Sequence, residues 1–200
     1  MPERGGGSRG EKRVRIIDAA IRVFADRGFH QARVTDIASQ AGVADGTIYL
    51  YFRNKEDLLL TIFEEKMQAI NAGLAGELEG IEDPFDRIRA FARYHFSLVQ
   101  KERALAEVLQ VELRLSNKFL KEYRPKPLWQ YLGAFAGILR EGQEAGKVRA
   151  DIDIFTAKWA FFGALDELAM QWVLARGKPR FNLDAAADTV ADIFIKGIAN

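Results

Sequence analysis

The sequence lacks cysteine altogether, and among its 200 residues it has only two histidines and five prolines. Without cysteine the chain forms no disulfide, no thiolate metal site and no thiol nucleophile. No apolar run approaches the roughly 18 residues that a membrane-spanning helix requires. Residues 1–13 carry charge but no apolar segment, so we expect no secretory signal there. These absences predict a cytoplasmic protein that does not engage a membrane.

Sequence signals for catalysis are also scarce. The chain has no GxxxxGK(S/T) phosphate-binding loop. The two histidines, His30 and His95, fall in different predicted units, and the neighbouring carboxylates Asp166 and Glu167 have no partner set that would complete a metal site. We therefore predict that the protein is not an enzyme and that it uses no cofactor and no metal.

The residues that are present predict an all-α fold. Hydrophobic residues make up 48% of the chain and charged residues 28%, as in ordinary globular proteins. Apolar side chains such as Ile17, Ile21 and Phe24 recur at helical spacing, and the alternating pattern of strands is absent. We expect three helices in an amino-terminal unit and about six in the remainder.

Turn and capping residues indicate where these helices begin and end. Gly28 fits the left-handed position after the first helix. Asn54 and Asp57 form a capping-box-like pair before a long helix that reaches about Leu78, and Asp153 can cap a later one. Further helices are predicted over residues 85–100, 104–116, 128–144, 154–175 and 183–198.

Basic charge is concentrated near the amino terminus. Residues 1–55 carry 10 Lys and Arg against 6 Asp and Glu, whereas the rest of the chain has 19 against 22. The chain is predicted to divide into a flexible basic tail over 1–10, a helix-turn-helix unit over 11–54 and a larger unit over 55–200. A basic excess on the smaller unit is what phosphate contact would require.

The segment over residues 34–57, VTDIASQAGVADGTIYLYFRNKED, predicts two short helices joined by a tight turn. Ile37 belongs to a buried stripe on the first helix, while Ile48 and Phe52, four apart, form another on the second. The polar side chains that this leaves on other faces are Thr47, Tyr49, Tyr51 and Lys55. Hydroxyls, aromatic edges and an ammonium on an exposed short helix suit the major groove of DNA.

These residues resemble the DNA-binding signature of the TetR family of one-component bacterial repressors. The resemblance is carried by AGVADGTIYLYFRNKEDLL, by VTDIA and by Gly28-Phe29, and it covers about residues 11–63. The family usually has Thr where this chain has Arg33, so the second helix must be capped from elsewhere, for example by Asp36. The predicted DNA-binding residues are Arg33, Thr35, Asp45, Gly46, Thr47, Tyr49, Tyr51 and Lys55.

The chemistry of this surface supports two kinds of contact. Thr47 and Tyr49 can donate hydrogen bonds to phosphates or base edges, and Gly46 lets the helix approach the groove closely. Lys55, at the start of the next helix, would form a phosphate clamp with the free backbone N–H groups there. The alternative for Tyr49 and Tyr51 is that both rings pack between helices.

A homodimer is implied because a single small helix-turn-helix unit gains little specificity for a DNA sequence. Two copies about one DNA turn apart, ~34 Å, would read a near-palindromic operator in double-stranded DNA. Self-packing of the last two helices would form a four-helix bundle about a two-fold axis. The alternative is that these helices pack only within one subunit. The predicted interface residues are Trp159, Leu165, Leu168, Trp172, Val190 and Phe194.

The larger unit resembles one branch of the family more specifically. HFSLV (95–99), QVELRLSN (110–117) and FGALDELAMQWVL (162–174) look like the branch that represses fatty-acid degradation genes and is relieved by long-chain acyl-CoA. The alternative is a repressor that senses an unrelated hydrophobic drug or metabolite. Most aromatic rings of this unit are expected to be plain core. The predicted ligand-binding residues are Phe91, His95, Phe96, Arg103, Leu109, Leu113, Arg114, Tyr131, Phe135 and Phe162.

Overall fold

The computed structural model describes residues 8–112, 125–175 and 178–200, and within these ranges the regular structure is helical. A lone antiparallel bridge joins Val148 to Ala199. The helices in chain order are α1 (Arg9–Arg27), α2 (Val34–Ala41), α3 (Asp45–Ile48), α4 (Lys55–Leu78), α5 (Pro84–Lys101), α6 (Arg103–Glu107), α7 (Lys126–Glu144), α8 (Ile154–Leu174) and α9 (Leu183–Ile198). The predicted all-α class is confirmed.

Three helices differ from the sequence prediction in extent. Helix α1 begins at Arg9 with Ser8 as its N-cap, within the segment predicted as a flexible tail over 1–10. The α-helix predicted over 104–116 gives way at Val108–Glu112 to a π-helical turn, and its last four residues lie outside the described ranges. The second helix of the DNA-binding motif is only four residues long, after which Tyr51 and Phe52 donate their N–H groups to Ile48 O at 3.0 Å. The segment predicted as one helix is therefore a short helix followed by a turn.

The capping interactions predicted for Asn54 and Asp57 are confirmed, whereas Gly28 differs in its backbone conformation. Gly28 ends α1 and donates its N–H to Phe24 O, but its φ of 77° and ψ of 149° lie outside the left-handed helical region that was predicted. Asn54 Oδ1 accepts a hydrogen bond from the N–H of Asp57 at 2.8 Å, and Asp57 Oδ2 accepts one from the N–H of Arg53 at 2.9 Å. These local hydrogen bonds satisfy backbone groups that have no partner within the helix.

The chain divides into two compact units, and the boundary lies within α4. The first unit comprises residues 1–63 and 107–123, of which 8–63 and 107–112 are described. The second comprises residues 64–106 and 124–200, less the undescribed positions. The boundary predicted from the sequence is earlier, between residues 54 and 55, where α4 begins.

Each unit has its own apolar core. In the first unit, α1 packs on α2, and the fully buried side chains include Ile16, Phe24 and Ile37. In the second unit, α5 packs against α7, α8 and α9. The largest fully buried side chains there are Phe91, Phe96, Phe135 and Phe161.

None of the described helices is both long and apolar enough to cross a membrane. Across the same residues, no three acidic or histidine side chains come together in a way that could hold a metal ion.

Candidate DNA-binding surface and effector core

The DNA-binding surface predicted from sequence lies around α3 in the first unit. Ile48 and Phe52 are each only 2% exposed and anchor this segment to the core. Asp45 and Gly46 are exposed and Thr47 is half-buried, so all three are accessible at the helix start. Burial of the apolar pair therefore leaves the polar positions on the surface, as the spacing predicted.

The two tyrosines of this segment have different environments. Tyr49 is 58% exposed, so its ring does not pack between helices. Tyr51 is half-buried, and the Arg9 guanidinium lies over its ring at 5.9 Å from the centroid. Leu50, which the sequence reading did not select, is 72% exposed beside them. An apolar side chain at this place suits contact with a thymine methyl group.

The start of α2 is capped by a residue inside the helix. The Arg33 N–H donates to Asp36 Oδ2 at 3.1 Å, which confirms the cap expected from Asp36. The other oxygen of that carboxylate pairs with the Arg27 guanidinium at 2.8 Å. Arg33 and Thr35 have exposed side chains at the same helix end. The uncommon arginine is thus compatible with a capped α2 and still reaches solvent.

Lys55 is hydrogen-bonded within the protein, which the sequence reading did not foresee. Its Nζ donates to Phe29 O at 2.5 Å, to Ala32 O at 3.0 Å and to His30 O at 3.2 Å. The ammonium also lies 4.6 Å from the centroid of the Phe29 ring. Burial lowers the pKa of Lys55, and Glu56 opposes this shift. Three N–H groups are all that an ammonium has, so the turn after α1 uses the donors that a phosphate clamp would need.

A second residue that sequence reasoning missed holds the same turn. Glu112 is 7% exposed, and its Oε2 accepts the N–H of Phe29 at 2.5 Å. A Cβ on Gly28 would meet the two carboxylate oxygens at 3.6 and 3.7 Å, so the backbone passes close to this side chain. The only sequence signal for it is an acidic residue within the apolar run VLQVEL.

The second unit contains a cluster of aromatic rings around His95. The His95 Nδ1 lies 3.0 Å from the Tyr131 hydroxyl, and both side chains are buried. Burial lowers the pKa of His95 to about 4, against a smaller opposing effect of Asp166. Burial also raises the pKa of Tyr131. Both groups are therefore uncharged at neutral pH, and the cluster is apolar apart from this pair.

Most of the predicted aromatic ligand residues do lie together in this unit. The Phe91 ring lies 4.8 Å from that of Tyr131 and 5.3 Å from that of Phe135. The Phe162 ring lies 6.3 Å from that of His95. Phe96 is adjacent to His95 at 5.6 Å. The cluster thus combines residues of α5, α7 and α8, which sequence spacing alone does not bring together.

Other predicted ligand residues have different positions. Arg103 donates from Nη2 to Val173 O at 2.6 Å, and its guanidinium lies over the Trp172 ring. This cation therefore stabilises the carboxy-terminal end of α8, where the helix dipole favours it. Leu109 belongs to the first unit and is half-buried. Leu113 and Arg114 lie outside the described residues.

The predicted interface stripe needs one correction. Leu165 has no exposed surface within a single chain, so its place in the dimer interface is wrong. Phe194 packs on Phe161 at 4.9 Å and on Phe135 at 5.7 Å. The remaining members are half-buried: Trp159, Leu168, Trp172 and Val190. The large apolar side chains most exposed on these two helices are Phe155 at 64%, Leu174 at 51% and Ile193 at 69%.

Two family models match consecutive parts of the chain. Residues 16–62 match the model of bacterial regulatory proteins of the tetR family. Residues 63–197 match the model of the carboxy-terminal region of YsiA-like proteins, which belongs to the TetR series of models. The two matches meet inside α4, near the boundary between the units.

Similar proteins agree with these models over nearly the whole chain. The fatty acid metabolism regulator protein of Bacillus subtilis is 39% identical over 189 residues, which cover 94% of this chain and 96% of that protein. The crystal structure of FadR from B. subtilis in complex with stearoyl-CoA has a TM-score of 0.85 at 38% identity, covering 92% of this chain and 98% of that one. FadR from Bacillus halodurans gives a TM-score of 0.82 at 36% identity and the same coverage. The chain therefore belongs to the TetR family of bacterial regulatory proteins, as a helix-turn-helix transcriptional regulator and not an enzyme.

Proposed function

We propose that the protein is a dimeric repressor of fatty-acid degradation genes that releases its operator when it binds a long-chain acyl-CoA. The observation that carries the ligand assignment is the buried aromatic cluster of the second unit, since such a cluster can enclose an acyl chain. The FadR relative with 38% identity was crystallised with stearoyl-CoA, which supports the same ligand class. In this proposal the protein binds its operator DNA in the cytoplasm.

DNA recognition is assigned to the exposed residues around α3 and at the start of α2. In this proposal Thr47, Tyr49 and Leu50 face base edges, while Arg33 and Thr35 contact phosphates. Asp45, Gly46 and Tyr51 complete the surface at the groove. Because Lys55 uses its three donors internally, we assign it to holding the turn after α1.

Dimerisation is assigned to α8 and α9. These helices carry Phe155, Leu174 and Ile193 with more than half of each side chain exposed, and three such residues on two neighbouring helices favour an apolar protein interface. An Ile193→Asp variant should elute as a monomer in size-exclusion chromatography with light scattering. A variant of an exposed polar residue in the first unit, Gln40→Asp, should remain dimeric.

The effector hypothesis is tested with DNA selected from a random pool by the purified protein. Stearoyl-CoA should lower the affinity for this DNA in fluorescence anisotropy, whereas CoA and stearate at equal concentration should not. Because coupling is reciprocal, DNA must weaken stearoyl-CoA binding by the same factor in calorimetry. Equal ligand affinity with and without DNA would contradict an effector role.

The alternative for the second unit is that it senses an unrelated hydrophobic drug or metabolite, so that the protein is a TetR repressor with a different effector. Native mass spectrometry of protein purified from its own host distinguishes the two functions. A bound species with the mass of an acyl-CoA supports the proposal. A different small molecule would favour the alternative without affecting the DNA-binding assignment.

A further inference from the structure

One polar atom of the aromatic cluster has no hydrogen-bond partner. His95 is 8% exposed, and its Nε2 is buried with no donor or acceptor in reach. The rings around it belong to Phe96, Tyr131 and Phe162, with centroids 5.6, 6.1 and 6.3 Å away. Buried polar groups in native proteins are nearly always paired, because an unpaired one costs stability. The vacant partner position indicates an atom that the chain itself does not supply.

Tyr131 determines which hydrogen-bonding group His95 presents at that position. The Tyr131 hydroxyl is buried and keeps its proton because burial raises its pKa. Its hydrogen-bond partner is Nδ1 of His95, at 3.0 Å. We assign the hydroxyl as the donor to Nδ1, an arrangement in which the neutral imidazole carries its own proton on Nε2. His95 thus offers an N–H donor that requires an acceptor.

The electrostatic surroundings favour an uncharged acceptor. The imidazole is neutral near pH 7, because burial lowers its pKa to about 4. The Asp166 carboxylate acts on both His95 and Tyr131, raising the pKa of each, so it adds negative potential at this pair. A carboxylate anion placed here would be repelled by Asp166 and would find no cation in the imidazole. A carbonyl oxygen accepts the same hydrogen bond without that cost.

We propose that the Nε2–H of His95 donates a hydrogen bond to the thioester carbonyl oxygen of the bound acyl-CoA, and so selects thioesters over free fatty acids. This inference rests on the proposed acyl-CoA effector and assigns a role to one atom of its site. The phenylalanines of the cluster bind the hydrocarbon chain through apolar contact, which cannot distinguish an acid from its thioester. Tyr131 is a positioning residue, because it fixes the proton on Nε2.

The decisive comparison uses two ligands with the unmodified protein. S-hexadecyl-CoA has the same CoA group and a chain of equal length, but a thioether replaces the thioester and removes the carbonyl oxygen. Calorimetry below the micelle-forming concentrations should show that palmitoyl-CoA binds about tenfold to a hundredfold more tightly, the range expected when a buried donor loses its acceptor. Equal affinities would overturn the inference.

Variants then locate the preference in one side chain. His95→Phe should bind both ligands with the affinity of the thioether, whereas His95→Gln, which retains an N–H donor, should keep part of the preference. Tyr131→Phe should reduce the preference because the imidazole proton is then shared between both nitrogens. His30→Phe replaces the exposed histidine of the first unit and should leave the preference unchanged. A full preference in His95→Phe would contradict the assignment.

Failure of this inference is distinguishable from failure of the proposed function. If palmitoyl-CoA and S-hexadecyl-CoA bind equally well and both release DNA, the effector class stands and the role of His95 is refuted. If neither ligand binds, both the effector class and the role of His95 are refuted. The ligand comparison itself needs no variant, so poor folding of His95→Phe would not prevent a decision.

Discussion

The backbone N–H of Phe29 donates to the carboxylate of Glu112 at 2.5 Å, across 83 positions of the chain. The carbonyl of the same residue accepts from the Lys55 ammonium, also at 2.5 Å. Hydrogen bonds to charged groups are the stronger kind in proteins. The turn that joins α1 to the helix-turn-helix is therefore fixed from one side by an anion and from the other by a cation.

Replacement of Glu112 tests the anionic side of this arrangement. Glu112→Ala should lower the free energy of unfolding by roughly 1–3 kcal/mol, because the buried N–H of Phe29 loses its acceptor. Glu112→Gln retains an acceptor oxygen and should cost clearly less. Urea unfolding at fixed protein concentration measures both. Equal stability of Glu112→Ala and the unmodified protein would show that this hydrogen bond contributes nothing net.

Replacement of Lys55 separates a structural role from a phosphate contact. Lys55→Met should lower stability by roughly 1–3 kcal/mol, since three backbone carbonyls lose a donor. The salt dependence of DNA binding should keep its slope. By contrast, Arg33→Ala should flatten that slope by about one unit if it removes one phosphate contact. A flattened slope in Lys55→Met would return Lys55 to the phosphate-binding residues.

A threonine-to-alanine pair tests the surface around α3. Thr47→Ala should weaken binding to the selected operator by about tenfold, which corresponds to the loss of one hydrogen bond of ~1.4 kcal/mol. The exposed Thr189 lies in the second unit, and Thr189→Ala serves as the control. Fluorescence anisotropy gives the affinities, and light scattering shows whether each variant remains a dimer. Unchanged affinity for Thr47→Ala would remove this residue from the contact surface.

Two glycines of α4 should respond in opposite directions to alanine. A Cβ at Gly73 would overlap the Tyr94 hydroxyl, which donates to Ile70 O at 3.0 Å, whereas a Cβ at Gly76 meets nothing within 4 Å. Gly73→Ala should therefore destabilise by about 1–3 kcal/mol through overpacking and a displaced hydrogen bond. Gly76→Ala should stabilise by up to about 1 kcal/mol, because alanine favours the helix. Thermal unfolding of both variants provides the test.

Local features of the fold were predictable from the sequence. Gly28, Asn54 and Asp57 bond to backbone within four residues, so their identity and spacing are sufficient to predict the caps. The same holds for Asp153, whose Oδ2 accepts the N–H of Thr156 at 2.8 Å. Short-range hydrogen bonds of this kind do not depend on how distant segments meet.

The features that were not predictable depend on distant segments or on an ambiguous pattern. A charged residue such as Lys55 or Glu112 is compatible with solvent, with phosphate or with a buried carbonyl or N–H, and sequence spacing does not choose among these partners. Along α8, apolar residues occur on more than one face, so the spacing could not show that Leu165 points into the subunit and is fully buried. The position of Phe161 against Phe135, stacked at 4.2 Å, was missed for the same reason.

The buried His95 should make stability depend on pH in a defined window. Its pKa is about 4 in the folded protein and 6.5 in an ordinary environment. Between these values the unfolded chain takes up a proton that the folded chain does not, so stability falls as pH decreases from 6.5 towards 4. The loss attributable to His95 should approach about 3 kcal/mol at the acid end. Urea unfolding at pH 7.5, 6 and 5 should show this slope reduced in His95→Phe and retained in His30→Phe. Parallel pH dependences in all three proteins would mean that the folded protein accommodates a protonated His95.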